Sequence, residues 1–291
     1  MRDLAQTSHR CSRLGPGLRS LASPGQAPVR ARFVLVARAG SGGMGEVYRA
    51  WDRRDRRFVA IKLLHDDGPA QQERLFREAR LLATLQHPHI RHAHECGRVG
   101  RRPYLAMEWV EGPTLKAAAA GLTRAERLCL AVQIGEAVAF AHAHGVLHRD
   151  LKPANVLVGR DGRGHAHAYL IDFGIAAELD QPGGTRPGLL LGTPAYLAPE
   201  QIGGGSADQR TDVWGFGALL YETLTGRPPF GEGDPGQVLR RVLTTNPIRP
   251  RRFDPELAPE LEALILRCLE KRRERRYSTI QAIVDDLETW T

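Results

Sequence analysis

His148-Arg149-Asp150-Leu151-Lys152-Pro153-Ala154-Asn155-Val156-Leu157 packs a carboxylate, an ammonium and an amide into six residues, beside an apolar stretch with strand character. Asp172-Phe173-Gly174 follows 22 residues after Asp150, behind the apolar pair Leu170-Ile171. Gly192-Thr193-Pro194-Ala195-Tyr196-Leu197-Ala198-Pro199-Glu200 comes next. Upstream lie Gly40-Ser41-Gly42-Gly43-Met44-Gly45-Glu46-Val47 and Val59-Ala60-Ile61-Lys62, and then Glu78. Any one of these short strings arises easily by chance. The ordered series does not.

Taken singly, each string also has a bland explanation. Glycines let backbone amides approach a phosphate closely, yet a Gly-rich turn is common as plain structure. A dinucleotide-binding reading would need a helix after Gly45, whereas Val47-Tyr48 reads as strand. Lys62 lies on an otherwise apolar strand, where an ammonium needs a charge partner. Glu78 is a candidate partner, although Glu73, Arg74, Arg77 and Arg80 around it also fit a solvated helix face.

In order and wording the series resembles the protein kinase family, and GSGGMGEVY with GTPAYLAPEQ resembles most the bacterial eukaryotic-type Ser/Thr kinases. The resemblance runs from about Phe33 to the C-terminus. It implies an α+β, two-lobed protein-kinase-like fold with a small β-rich N-lobe and a larger α-helical C-lobe. It further implies transfer of the γ-phosphoryl group of ATP, with Mg²⁺ (or Mn²⁺ in its place), to Ser or Thr hydroxyls of proteins.

Residue roles follow from the same resemblance. The loop of Gly40, Gly42 and Gly45 would cover the phosphates, and Lys62 would hold the α- and β-phosphates while pairing with Glu78. Asn155 and Asp172 would ligate the metal as hard oxygen donors. Asp150 would orient the substrate hydroxyl and take its proton, with Lys152 steadying the γ-phosphate. Val47, Ala60 and Leu157 would sandwich the adenine, Met107 would back it, and main-chain groups of Glu108 and Val110 would bond its edge. Lys152 and Thr193 are the residue types expected of Ser/Thr rather than Tyr specificity. Glu200 would meet Arg276, and Asp212 would accept hydrogen bonds from the backbone at His148 and Arg149. A phosphate on Thr185 would pair with Arg149 and order its segment. Relatives commonly carry two threonines there; here Thr185-Arg186-Pro187 puts Pro in the second place.

The rest of the chain fits this plan. Short β-type runs at Phe33–Val36, Glu46–Ala50, Arg57–Leu63 and Tyr104–Met107 precede a joint at Glu111-Gly112-Pro113. A helix over 71–85 is expected from Leu75, Ala79, Leu82 and Leu85, ending before His87-Pro88. Helices are expected over 122–144, opened by Thr123 with Glu126 three residues on, and over 213–225, 235–244, 257–269 and 279–290. The domain plan is therefore a basic leader over 1–32 without fixed structure, an N-lobe over about 33–111 and a C-lobe over about 112–291.

Composition excludes several classes. The chain of 291 residues is 42% hydrophobic and 25% charged, as soluble globular proteins are. No apolar run approaches the roughly 18 residues of a membrane span, and no secretory h-region opens the chain, so a cytoplasmic protein is expected. Residues 1–32 hold six arginines against Asp3, a net +5 of the total +8. That leader lacks aromatics for base stacking, which argues against nucleic acid as a partner. Cys11, Cys96, Cys129 and Cys268 form no CxxC pair. His92 with His94, and His165 with His167, find no third metal ligand in the sequence.

Three functions compete. An active kinase needs Lys62, Glu78, Asp150, Asn155 and Asp172, and all are present. A scaffold without activity would be expected to have lost one; its only support is the small Ala93 in the unusually polar stretch Ile90–Cys96. A small-molecule phosphotransferase would be expected to lack the full loop and the Ala-Pro-Glu motif. A homodimer that autophosphorylates in trans is expected from the resemblance alone, and Gly215 carries no assigned role.

Overall fold

The computed structural model describes residues 32–42, 45–65, 68, 73, 75–76, 79, 82–173 and 194–291. Glu78, Thr185, Thr193 and the leader up to residue 31 lie outside the described residues. Two compact units result, one holding the chain up to Gln86 plus Arg91–Trp109, the other His87–Ile90 plus Val110–Thr291.

The first unit is an antiparallel sheet of β1 (Phe33–Gly42), β2 (Gly45–Asp52), β3 (Arg57–Leu64), β4 (Ala93–Val99) and β5 (Arg102–Glu108), in the order β1-β2-β3-β5-β4. Successive side chains of a strand alternate between faces. One face buries Ala50, Val59, Ile61, Leu63, Tyr104 and Ala106 with Phe33 and Val99, and this is the unit's core. Strand β1 runs well past the four residues expected, because the Gly-rich stretch continues its pairing with β2 as far as Gly42 opposite Gly45. The polar stretch before Cys96 forms β4 because its polar groups have partners. Glu95 accepts from Arg32 (2.6 Å) and from the Tyr104 hydroxyl (2.9 Å). Arg32 also grips the buried Asp52 with two bonds, at 3.0 and 2.8 Å. In the stretch 71–85, the described residues Glu73, Leu75, Phe76, Ala79 and 82–84 are helical, with Leu75, Ala79 and Leu82 buried.

The second unit contains α1 (Leu115–Ala118), α2 (Arg124–Ala143), the hairpin β6 (Val156–Arg160) and β7 (Ala166–Leu170), α3 (Pro199–Ile202), α4 (Gln209–Thr225), α5 (Pro235–Thr244), α6 (Pro259–Cys268) and α7 (Gln281–Leu287). Thr123 and Glu126 make the reciprocal cap that opens α2. Helix α4 starts four residues earlier than expected, since the Asp208 carboxylate accepts the Arg210 amide and caps it. Every residue of α4 from Thr211 to Leu224 is buried, so this helix is the unit's centre. Its glycines are close-approach points. A Cβ on Gly217 would lie 2.4 Å from the Cys268 Cβ, and one on Gly215 would lie 3.0 Å from the Leu151 Cβ. Gly215 thus has a role the sequence did not disclose: it lets α4 pack against the loop that carries Asp150.

Candidate active site

In the sheet unit the register sorts the residues. Gly40 opposes Val47, Val47 opposes Lys62, Lys62 opposes Leu105, and Ala60 opposes Met107. Opposed residues of antiparallel strands share a face. Gly40, Val47, Ala60, Lys62 and Met107 therefore line the face turned away from the aromatic core. Ala60 is fully buried, Met107 nearly so, and Lys62 half-buried. Gly45 has a steric cause: a Cβ there would lie 2.3 Å from the Leu63 carbonyl oxygen. The amide of Glu108 donates to the His92 oxygen at 2.9 Å, and its carbonyl accepts from the Arg91 guanidinium at 2.8 Å.

In the helical unit the loop between α2 and β6 gathers the polar residues. Asp150 Oδ2 accepts from Lys152 Nζ at 2.6 Å and from Asn155 Nδ2 at 2.9 Å. The same Asn155 amide donates to the Asp150 carbonyl, also at 2.9 Å. With both bonds taken by Nδ2, the amide oxygen of Asn155 is turned the other way. The Asn155 carbonyl accepts from Ile171 at 2.9 Å, tying this loop to the segment that carries Asp172. Arg149 and Asp172 both adopt positive φ, 63° and 54°, which side-chain-bearing residues rarely do. Such strain persists only where the surroundings impose it.

Asp212 imposes it at Arg149. Its Oδ1 accepts the Arg149 amide at 2.7 Å, and its Oδ2 accepts the His148 amide at 2.8 Å and His142 Nε2 at 2.7 Å. On the far side of the loop, Gln201 Nε2 donates to the Arg149 carbonyl at 2.9 Å. His148 is fully buried and packs against Phe173 with ring centroids 4.7 Å apart. Burial holds its imidazole below the ordinary histidine range, hence neutral. Its Nδ1 accepts the Asp150 amide at 3.3 Å. Val110 is buried, and Leu157 is half-buried opposite Tyr169.

Glu200 and Arg276 meet as a two-pronged pair, both contacts 2.8 Å, with the Arg276 side chain fully buried. Arg276 also bonds the carbonyls of Arg210 and Glu270. Burial alone would raise the Glu200 carboxyl, but the Arg276 guanidinium overrides it and holds the group below its usual range. Lys62 lies on β3 and Asp172 two residues past the end of β7, whereas Glu78, Thr185 and Thr193 lie outside the described residues.

Sequence reasoning missed His142, Gln201 and the buried pair of Tyr196 with Glu222. His142 carried a usable signal. It falls on the apolar face of α2 one turn after Val138, and a polar side chain there needs a buried partner. Gln201 and Tyr196 carried none, because their partners are distant in the chain.

Comparison with known proteins is uniform. The protein kinase domain family matches residues 33–287. Serine/threonine-protein kinase PkaA of Streptomyces coelicolor is 39% identical over 269 residues, covering 86% of this chain and 48% of the relative. Serine/threonine-protein kinase PknB of Mycobacterium tuberculosis is 36% identical over 268 residues, covering 88% and 42%. The crystal structure of Rad53 1–466 in complex with AMP-PNP superposes with a TM-score of 0.74 at 25% identity, covering 89% of this chain and 66% of that one. The chain thus spans less than half the length of these two bacterial relatives. With the ordered motifs and the loop geometry, these matches place the chain in the protein kinase family.

Proposed function

We propose that this chain is an active protein kinase domain, comprising 33–291 behind a basic leader over 1–32, which phosphorylates Ser and Thr residues of proteins at the expense of ATP. The observation that carries this reading is the Asp150 cluster: a carboxylate held by Lys152 and Asn155 on a loop that Asp212 fixes in a strained backbone state. The AMP-PNP in the Rad53 structure supports a nucleotide on this fold.

The chemistry asked of the residues is mostly positioning and charge neutralisation. Asp150 accepts the hydrogen of the substrate hydroxyl, orients its oxygen in line and takes the proton. Lys152, already 2.6 Å from that carboxylate, steadies the γ-phosphate. Gly40, Gly42 and Gly45 cover the phosphates, and Lys62 holds the α- and β-phosphates with Glu78 as its partner. Val47, Ala60, Met107, Val110 and Leu157 take the adenine, with the Glu108 and Val110 main chain on its edge.

Protein kinases use ATP with a divalent metal, and the donor set here fits one. The Asn155 amide oxygen, oriented by the two Nδ2 bonds, and the Asp172 carboxylate are hard oxygen donors of the kind Mg²⁺ or Mn²⁺ prefers. When bound, that ion neutralises phosphate charge. A phosphate on Thr185 pairs with Arg149, Thr193 completes the Ser/Thr-type acceptor segment, and a homodimer phosphorylates itself in trans. Among the described residues no helix is long and apolar enough to cross a membrane, and the proposed setting is the cytoplasm.

The test is incubation of the purified chain with Mg-ATP and a generic Ser/Thr-containing acceptor protein, followed by phosphosite mapping. Phosphoserine and phosphothreonine on the acceptor, and phosphate on Thr185 of the chain itself, are expected. Bound nucleotide without any transfer would contradict the proposal.

A further inference from the structure

The polar stretch beginning Ile90-Arg91-His92 is the part of the sequence that phosphoryl transfer leaves unused. Arg91 is 6% exposed and, with Asp52, one of two charged residues buried this deeply among the described residues of the sheet unit. A guanidinium so placed must be hydrogen-bonded. One of its bonds goes to the main chain: Nε donates to the Glu108 carbonyl oxygen at 2.8 Å. The Glu108 amide is engaged as well, donating to the His92 oxygen at 2.9 Å. Both polar groups of the Glu108 backbone are therefore held by two consecutive residues of one short segment. Glu108 ends β5 directly after Met107.

We infer that Arg91 sets the base selectivity of the nucleotide site by occupying the Glu108 carbonyl, so that the chain barely distinguishes adenine from a purine that lacks the 6-amino group. The inference rests on the proposal that the Glu108 main chain faces the purine edge. A site that depends on a hydrogen bond from a substrate amino group rejects analogues lacking it strongly, because its acceptor is then left unpaired. Here the acceptor is never unpaired. The guanidinium draws on the electron density of that oxygen and leaves less for the adenine amino group. Its positive field also opposes the partly positive amino hydrogens of adenine. Loss of the amino group therefore costs little.

The experiment measures direct binding of Mg-ATP and of the magnesium complex of purine riboside triphosphate to the unmodified chain by calorimetry, then repeats both on Arg91→Met. Purine riboside triphosphate lacks only the 6-amino group and keeps N1 as an acceptor, so the ratio of dissociation constants isolates the 6-position. The expected ratio for the unmodified chain lies within tenfold; a preference for ATP above tenfold overturns the inference without any variant. In Arg91→Met, with folding checked by thermal melting, ATP preference should rise at least tenfold as the carbonyl becomes dependent on the amino group. A variant that binds nucleotide with an unchanged ratio also overturns the inference and leaves the kinase proposal standing. Failure of the unmodified chain to bind either nucleotide would sink both.

Discussion

The loop from His148 to Asn155 and the sheet face from Gly40 to Met107 supply residues to the same proposed reaction, but different physics places them. In the loop, position comes from side-chain hydrogen bonds to main chain. Asp212 holds two amides, Asn155 holds one carbonyl, and Gln201 holds another. On the sheet face, position comes from register, since Val47, Ala60, Lys62 and Met107 align because alternate residues of paired strands must. The loop is accordingly sensitive to loss of single polar atoms. The sheet face is sensitive to volume and to slips of register.

The largest stability effect is expected where the helical unit buries its charge pair. Arg276→Met leaves the Glu200 carboxylate buried without its partner and should cost about 3–5 kcal/mol in denaturant unfolding. Glu200→Gln combined with Arg276→Met should recover part of that loss. The pH dependence follows from the same pair. The folded-state Glu200 is depressed below 4.5, so its contribution is present above that pH and is lost as pH falls through the folded value. The single variant Arg276→Met should lose this acid-linked slope. An unaltered slope would mean that the pair does not govern it.

Next in size are the close-approach glycines, which sharpen the contrast. Gly217→Ala places a Cβ 2.4 Å from Cys268 and should cost about 1–3 kcal/mol. Gly45→Ala meets the Leu63 carbonyl in the sheet unit and should fall in the same range, whereas Gly40→Ala has open space around it and should leave the melting temperature unchanged. Equal effects of the two hairpin substitutions would show that the strand pairing at Gly45 is looser than its register implies.

Smaller again is Thr123→Ala, which removes the α2 cap at about 1 kcal/mol. The smallest effect belongs to Arg124→Ala, whose pair with Asp254 at 2.7 Å lies on the surface and should be worth about 0.5 kcal/mol.

The two regions also differ in how far the sequence disclosed them. The loop was legible because its chemistry is contiguous: Asp150, Lys152 and Asn155 sit within one decapeptide, and their contacts are local. The sheet face is legible through alternation, which also explains why β1 is expected too short and β4 is not expected as a strand. Glycines and charged residues mask a period of two, although main-chain pairing does not depend on them. Helix α2 is legible through Thr123 and Glu126, while α4 is expected too late because its cap, Asp208, lies five residues before the apolar run that begins at Val213. What stayed hidden was tertiary. His142 meets Asp212 across 70 residues. Gly215 makes sense only beside Leu151, and Arg91 only beside the Glu108 carbonyl.

The central claim is that Asp150 does chemistry while the rest of the site binds, and Asp150→Asn separates the two most directly. The amide keeps the size of the carboxylate but cannot take a proton. Side-by-side measurement of Mg-ATP affinity and of phosphoryl transfer to a Ser/Thr acceptor should show affinity within a few-fold of the unmodified chain and turnover lower by about 10²–10⁴. Turnover within tenfold of the unmodified chain would contradict the assignment of Asp150 as the group that accepts the proton.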